Sequence, residues 1–96
     1  MSPRRSKLEI RLKILAAIRD GVDKPTRIMY AANLSWKPTQ RTLFQLVEQG
    51  LVAEAINPER TKSRRRYEIT EKGIAVLAYF DKAKEILPIE EIYTQE

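Results

Sequence analysis

Ninety-six residues, 43% of them hydrophobic, suffice for one domain with its own core and not for two. Cysteine and histidine are both absent, which excludes disulfides, thiolate metal sites, cysteine nucleophiles and histidine general bases together. The formal charge is +5, and because residues 79–96 carry −3 the first 78 carry +8, which points the body of the chain toward a polyanion. No apolar run reaches the roughly 18–20 residues of a membrane span. The charged start leads into Leu8-Glu9-Ile10-Arg11 and not into a signal-peptide apolar stretch, so a cytoplasmic location is expected.

Ser6-Lys7-Leu8-Glu9 has the spacing of a capping box, in which hydroxyl and carboxylate each satisfy a free backbone N–H. Behind it Leu8, Leu12, Leu15, Ile18 and Val22 recur at helical spacing, Ile14 widens the stripe, and Gly21 suits a left-handed stop. The pattern predicts a first helix over about 7–20. Asp23-Lys24-Pro25 starts a second, since proline in a first turn needs no backbone donor; Ile28, Met29, Ala31 and Ala32 form its apolar face. Asn33 tolerates a left-handed turn and Ser35 suits the N-cap of a third helix, about 36–49. Pro38 falls in its first turn, Leu43, Leu46 and Val47 are its buried stripe, and Gly50 closes it. Two helices joined by a three-residue turn make a helix-turn-helix candidate.

Residues 51–56 read as a strand, and Arg65, Tyr67 and Ile69 alternate with Arg66 and Glu68 as a second. The turn-rich segment 57–63 between them predicts a hairpin with a long polar tip. Thr70 caps a last helix carrying Ile74, Leu77, Phe80, Ala83, Ile86 and Leu87, which Pro88 interrupts because the residue before proline avoids helical geometry. The order three helices, hairpin, helix predicts an α+β, mostly α, winged helix-turn-helix. Its expected parts are a basic arm at 1–5, the winged helix at 6–70, a C-terminal helix at 71–88 and an acidic tail at 89–96.

In such a fold the third helix enters the major groove and the hairpin reaches the flanking backbone or minor groove. The stripe 43, 46, 47 turns Trp36, Lys37, Thr39, Gln40, Thr42 and Gln45 partly outward, with Arg41 among them. Glutamine pairs with adenine, arginine with guanine, and threonine contacts phosphate or a thymine methyl, so Lys37, Thr39, Gln40 and Arg41 are the candidate contacts. Any solvated helix face would show similar residues. The hairpin is more specific: Arg60, Lys62, Arg64, Arg65 and Arg66 lie together with no acid among them. Glu54 and Glu68 on the paired strands are positioned to neutralise part of this set. A plain solvated loop protecting an edge strand is the competing account. Thr26 and Arg27 at the start of the second helix suit phosphate contact, and Arg4, Arg5 and Lys7 suit a basic arm. Trp36 is expected to pack into the core over the first turn of the third helix, with stacking on a sugar as the alternative, and Tyr30 and Tyr67 to lie in the core or an interface.

The last helix offers more apolar surface than one small domain covers. Val76, Phe80, Ala83 and Leu87 step by four, three and four, a short coiled-coil seam beside Tyr79, while Ile74 and Leu77 face the core. A homodimer through this helix is the expectation. No glycine-rich phosphate loop, metal-ligand cluster or nucleophile–base pair is present, so neither catalysis nor a cofactor or metal is expected.

Ser6-Lys7-Leu8-Glu9-Ile10, Thr26-Arg27-Ile28-Met29-Tyr30-Ala31-Ala32-Asn33-Leu34-Ser35 and Tyr67-Glu68-Ile69-Thr70-Glu71-Lys72-Gly73 resemble the archaeal "10a" family of winged-helix DNA-binding proteins, over about residues 6–80. The resemblance implies binding to double-stranded DNA as a homodimer joined by an antiparallel coiled coil of the last helices. Thr26, Arg27 and Ser35 match the family block; the middle of the third helix does not. The family's last helix is usually long, whereas Pro88 stops this one early. A transcriptional regulator is the first expectation, a non-specific chromatin protein the alternative, and a protein–protein winged-helix module the third.

Overall fold

In the computed structural model, which describes residues 6–56 and 65–87, local signals set the ends of the elements. Ser6 Oγ accepts from the Glu9 N–H at 3.0 Å and starts α1 (Lys7–Arg19). Gly21, at φ +100°, turns the chain where a side chain would be strained. Pro25 opens α2 (Pro25–Ala32), and Asn33 closes it in the left-handed conformation. Ser35 occupies the N-cap position of α3 (Trp36–Glu48), although its side chain makes no capping bond.

Strands β1 (Val52–Ile56) and β2 (Arg65–Ile69) pair antiparallel, with Val52 opposite Ile69, Glu54 opposite Tyr67 and Ile56 opposite Arg65. The Asp23 carbonyl accepts from the Tyr67 N–H at 3.0 Å, tying β2 to the α1–α2 connection. Thr70 Oγ1 accepts from the Gly73 N–H at 3.1 Å and donates to the Gly50 carbonyl at 2.7 Å. This hydroxyl therefore starts α4 (Glu71–Ile86) and fastens it to the end of the α3–β1 connection. The helix ends at Ile86 because Leu87, the residue before Pro88, is extended.

Leu12, Ile14, Leu15 and Ile18 of α1 form the centre of the core. Around them pack Ile28 and Ala32 of α2, Leu43 and Leu46 of α3, Leu51, Val52, Tyr67, and Leu77 of α4. The chain is a mostly helical α+β winged helix: α1–α3 pack together, the hairpin leans on α3, and α4 returns across α1.

Helix α4 meets this core through Leu77, as its sequence suggests, but not through Ile74. Val76 and Phe80 pack against the chain's own core, whereas Ile74, expected inside, is half exposed. Gly73, Leu77 and Phe80 lie on one side of the helix, and α1 takes that side. The exposed apolar groups are instead Tyr79 and Ile86, at 70% and 74% exposure, together with Leu87; Ala83 is partly covered. Val76 and Phe80, expected at the seam, are partly buried by packing against the core. Tyr79 packs edge-on to Phe80, with ring centroids 5.3 Å apart.

Candidate nucleic-acid interface

The buried side of α3 is Thr39, Thr42, Leu43 and Leu46, so its opposite side is presented to solvent. At ~100° per residue, Gln40, Phe44, Lys37 and Arg41 fall in that order within about a 100° arc. All four are exposed. Thr39 is not with them, which corrects the expectation from sequence: it is fully buried and its hydroxyl donates to the Ser35 carbonyl at 2.9 Å. That bond uses the hydroxyl's donor inside the helix, and burial closes the oxygen to a ligand. Thr42 is likewise buried. Phe44 belongs to the outward face and is absent from the residues singled out by sequence, although helical arithmetic from Leu43 and Leu46 puts it there.

Two sets of side chains flank this face. On one flank a groove of about 540 Å³ runs between α3 and the root of the hairpin. Trp36, Gln40 and Phe44 line its helix side, and Glu54, Arg65 and Tyr67 its hairpin side. Trp36 is partly exposed here instead of being enclosed in the core. On the other flank Lys7 and Arg11 of α1 meet Arg41 and Gln45 of α3 around a smaller hollow, where Arg11 Nη2 donates to Gln45 Oε1 at 3.3 Å. Lys7 and Arg11 are close to Arg41 only through the packing of α1 on α3; Arg11 is absent from the residues singled out by sequence. Thr26 and Arg27 are exposed on the first turn of α2, and Ser35 is exposed at the entry to α3.

The arginines of the hairpin divide sharply. Arg65 keeps 60% of its side chain exposed and pairs with Glu54 at 3.5 Å. Arg66 points the other way: its side chain is 20% exposed, with Nη1 donating to Asp23 Oδ1 at 3.3 Å. The expectation that Arg66 belongs to a free basic cluster is corrected accordingly, since strand alternation puts it on the opposite face from Arg65 and an acid 43 residues away holds it. Arg60, Lys62 and Arg64 lie outside the described residues.

Tyr67 anchors the polar side of the groove. Its ring is buried and its hydroxyl donates to Glu54 Oε2 at 3.1 Å. Burial, and then the hydrogen bond and charge of Glu54, raise its pKa above the ordinary 10.0, with Arg65 opposing. In the unfolded chain the phenol ionises at the ordinary value while the folded one still holds its proton. The stabilisation is therefore complete below about pH 10 and is lost as pH rises through the folded pKa. Tyr67→Phe is expected to flatten the fall in stability above pH 10, read by denaturant titrations at successive pH values against wild type. Tyr30, by contrast, is exposed and not in the core.

Among the described residues, no group of three or more acidic, histidine or cysteine side chains converges to hold a metal. No helix among them is long and apolar enough to cross a membrane.

The structure is similar to that of Sso10a-2, a DNA-binding protein from Sulfolobus solfataricus, with a TM-score of 0.70 and 28% identity over 95% of this chain and 88% of that one. It is also similar to a MarR family transcriptional regulator from Silicibacter pomeroyi, with a TM-score of 0.68 and 25% identity over 80% of this chain and 51% of that one. An uncharacterized protein of Methanocaldococcus jannaschii is 34% identical over 70 residues, which is 73% of this chain. The match spans 64% of that relative's own length. A profile of the winged helix-turn-helix family matches residues 4–87, covering all four helices and both strands. The chain belongs to the winged helix-turn-helix family.

Proposed function

We propose that this chain is a homodimeric transcriptional regulator that binds double-stranded DNA, with α3 in the major groove and the hairpin on the backbone or minor groove. The observation that carries this reading is the exposed α3 face of Lys37, Gln40 and Arg41, flanked by Arg65 on one side and by Lys7 and Arg11 on the other. A duplex laid on such a face meets base-reading side chains at the centre and cations at both margins, the division of labour that groove recognition requires. Thr26, Arg27 and Ser35 border the same helix pair and serve as phosphate contacts; Arg60, Lys62 and Arg64, outside the described residues, are assigned the same role from the sequence. The names borne by the Sulfolobus and Silicibacter proteins support the same reading.

Exposed apolar groups on α4, chiefly Tyr79, Ile86 and Leu87, with Ala83 at their edge, are the dimer surface in this proposal. Two copies would then present α3 helices to half-sites ~34–36 Å apart. The protein works on the chromosome, in the cytoplasm, without a cofactor or a catalytic step.

A salt titration of duplex affinity tests the reading. Neutralising ~5–8 phosphates gives a log–log slope of about −5 to −7. A slope near zero rejects it and leaves a protein-binding module in its place. Competition with random duplex separates a regulator, which discriminates by ~10³-fold or more, from a coat protein with equal affinity for every sequence.

A further inference from the structure

Phe44 is the feature that phosphate contact does not explain. It is 63% exposed at the middle of α3, between Gln40 and Lys37 around the helix and one turn beyond Gln40 along it. A single exposed phenylalanine is unremarkable on a protein surface. This one, however, continues into Trp36 and the partly buried Val47, so an apolar strip runs along one edge of the outward face. On either side of the strip stand cationic side chains: Lys37 and Arg41 on the helix and, across the groove, the exposed Arg65, which is ion-paired with Glu54.

The occupant must therefore be a polyanion that offers apolar groups at the floor of a groove between its charged rails. B-form DNA does this at thymine, whose C5-methyl projects into the major groove and is contacted by side chains such as phenylalanine. Double-stranded RNA does not, because its major groove is too narrow for side chains to read and its uracil lacks the methyl. A protein partner would need acidic groups on both sides of an apolar ridge; DNA supplies that pattern with its two backbones.

From this geometry we infer that Phe44 reads thymine methyl groups in the major groove, beside an adenine read by Gln40, so that the recognised DNA carries an A·T-containing element under the middle of α3. The inference rests on the DNA-binding reading above and adds the chemistry that the site selects. Gln40 and Phe44 are ~6 Å apart along the helix axis, which corresponds to about two base-pair steps at ~3.4 Å each.

The test uses the full chain and a duplex enriched from a randomised DNA pool, synthesised once with thymine and once with uracil at every thymine position. Burying one methyl corresponds to about a fourfold change in affinity. Wild type is expected to bind the uracil duplex about fourfold more weakly for each methyl in contact. Phe44→Ala should bind both duplexes equally, at the weaker level, with an unchanged salt slope because no phosphate contact is lost. Phe44→Leu should retain part of the discrimination. Equal binding of the two duplexes by wild type overturns the inference, as does discrimination that persists in Phe44→Ala or enrichment of duplexes without A·T pairs. In those three cases a steep salt slope leaves the DNA-binding reading standing, whereas a pool bound without salt dependence overturns both.

Discussion

Gly73→Ala is expected to destabilise the protein, and Gly73→Val to do so by ~3 kcal/mol or more. Helix propensity alone argues the reverse, since alanine is favoured over glycine inside a helix by roughly 1 kcal/mol. Packing decides the sign. A Cβ at position 73 would stand 2.3 Å from the Leu51 carbonyl oxygen and 2.7 Å from Ile69 Cγ1, closer than side-chain carbons approach such atoms. The Leu51 carbonyl has little freedom to retreat, because it accepts from the Thr70 N–H at 3.1 Å while the Leu51 N–H donates to Leu46 at 2.9 Å. The first turn of α4 must therefore lift off the hairpin, loosening the Thr70 bonds to Gly50 and Gly73 with it. Domains of this size hold roughly 5–14 kcal/mol in total, so the valine variant loses a large share. Urea unfolding midpoints of the three proteins check the order wild type, alanine, valine. A stabilised alanine variant would mean that α4 does not sit this close to Leu51 and Ile69.

Arg41→Ala and Lys37→Ala should each weaken duplex binding while leaving the fold intact, since both side chains are exposed and lie opposite the buried side of α3. A lost bidentate base contact costs ~1–3 kcal/mol and relaxes sequence preference at one position. A lost phosphate contact lowers affinity evenly across sequences and reduces the salt slope by about 0.9. The slope therefore assigns each residue to base or backbone. Arg66→Ala is the informative comparison, because it removes the same charge from a side chain already held by Asp23. Its affinity and slope should stay near wild type, with a stability loss below ~1 kcal/mol for a partly exposed pair. Equal damage from Arg41→Ala and Arg66→Ala, measured by fluorescence anisotropy with one duplex, would show that overall charge and not this surface governs binding.

The elements and their order were legible in the chain itself because the signals that end them act over a few residues. Ser6 and Thr70 reach backbone N–H groups three positions on, and Gly21, Asn33 and Gly50 adopt left-handed conformations that most side chains resist. The candidate surface was legible in part: Lys37, Gln40 and Arg41 follow from the apolar stripe of α3, as Phe44 would have with the same arithmetic.

What remained needed contacts between distant residues. Strand alternation separates Arg65 from Arg66, but only the fold supplies their partners: Asp23, brought alongside β2 by the α1–α2 connection, holds the half-buried Arg66, and Glu54 of β1 pairs with the exposed Arg65. Arg11 joins Arg41 only because α1 lies against α3. A threonine pattern cannot reveal that Thr39 bonds back to Ser35 and is covered by the core. Helix α4 carries apolar residues on more than one side, so its periodicity admits several rotations. Close approach at Gly73 and the fit of Leu77 and Phe80 against α1 select one of them. Sequence determined where the helices and strands begin and end, since those choices are settled by nearest-neighbour backbone chemistry. Which face of each element is buried, and which charges stay free to meet a partner, was decided by packing between segments far apart in the chain.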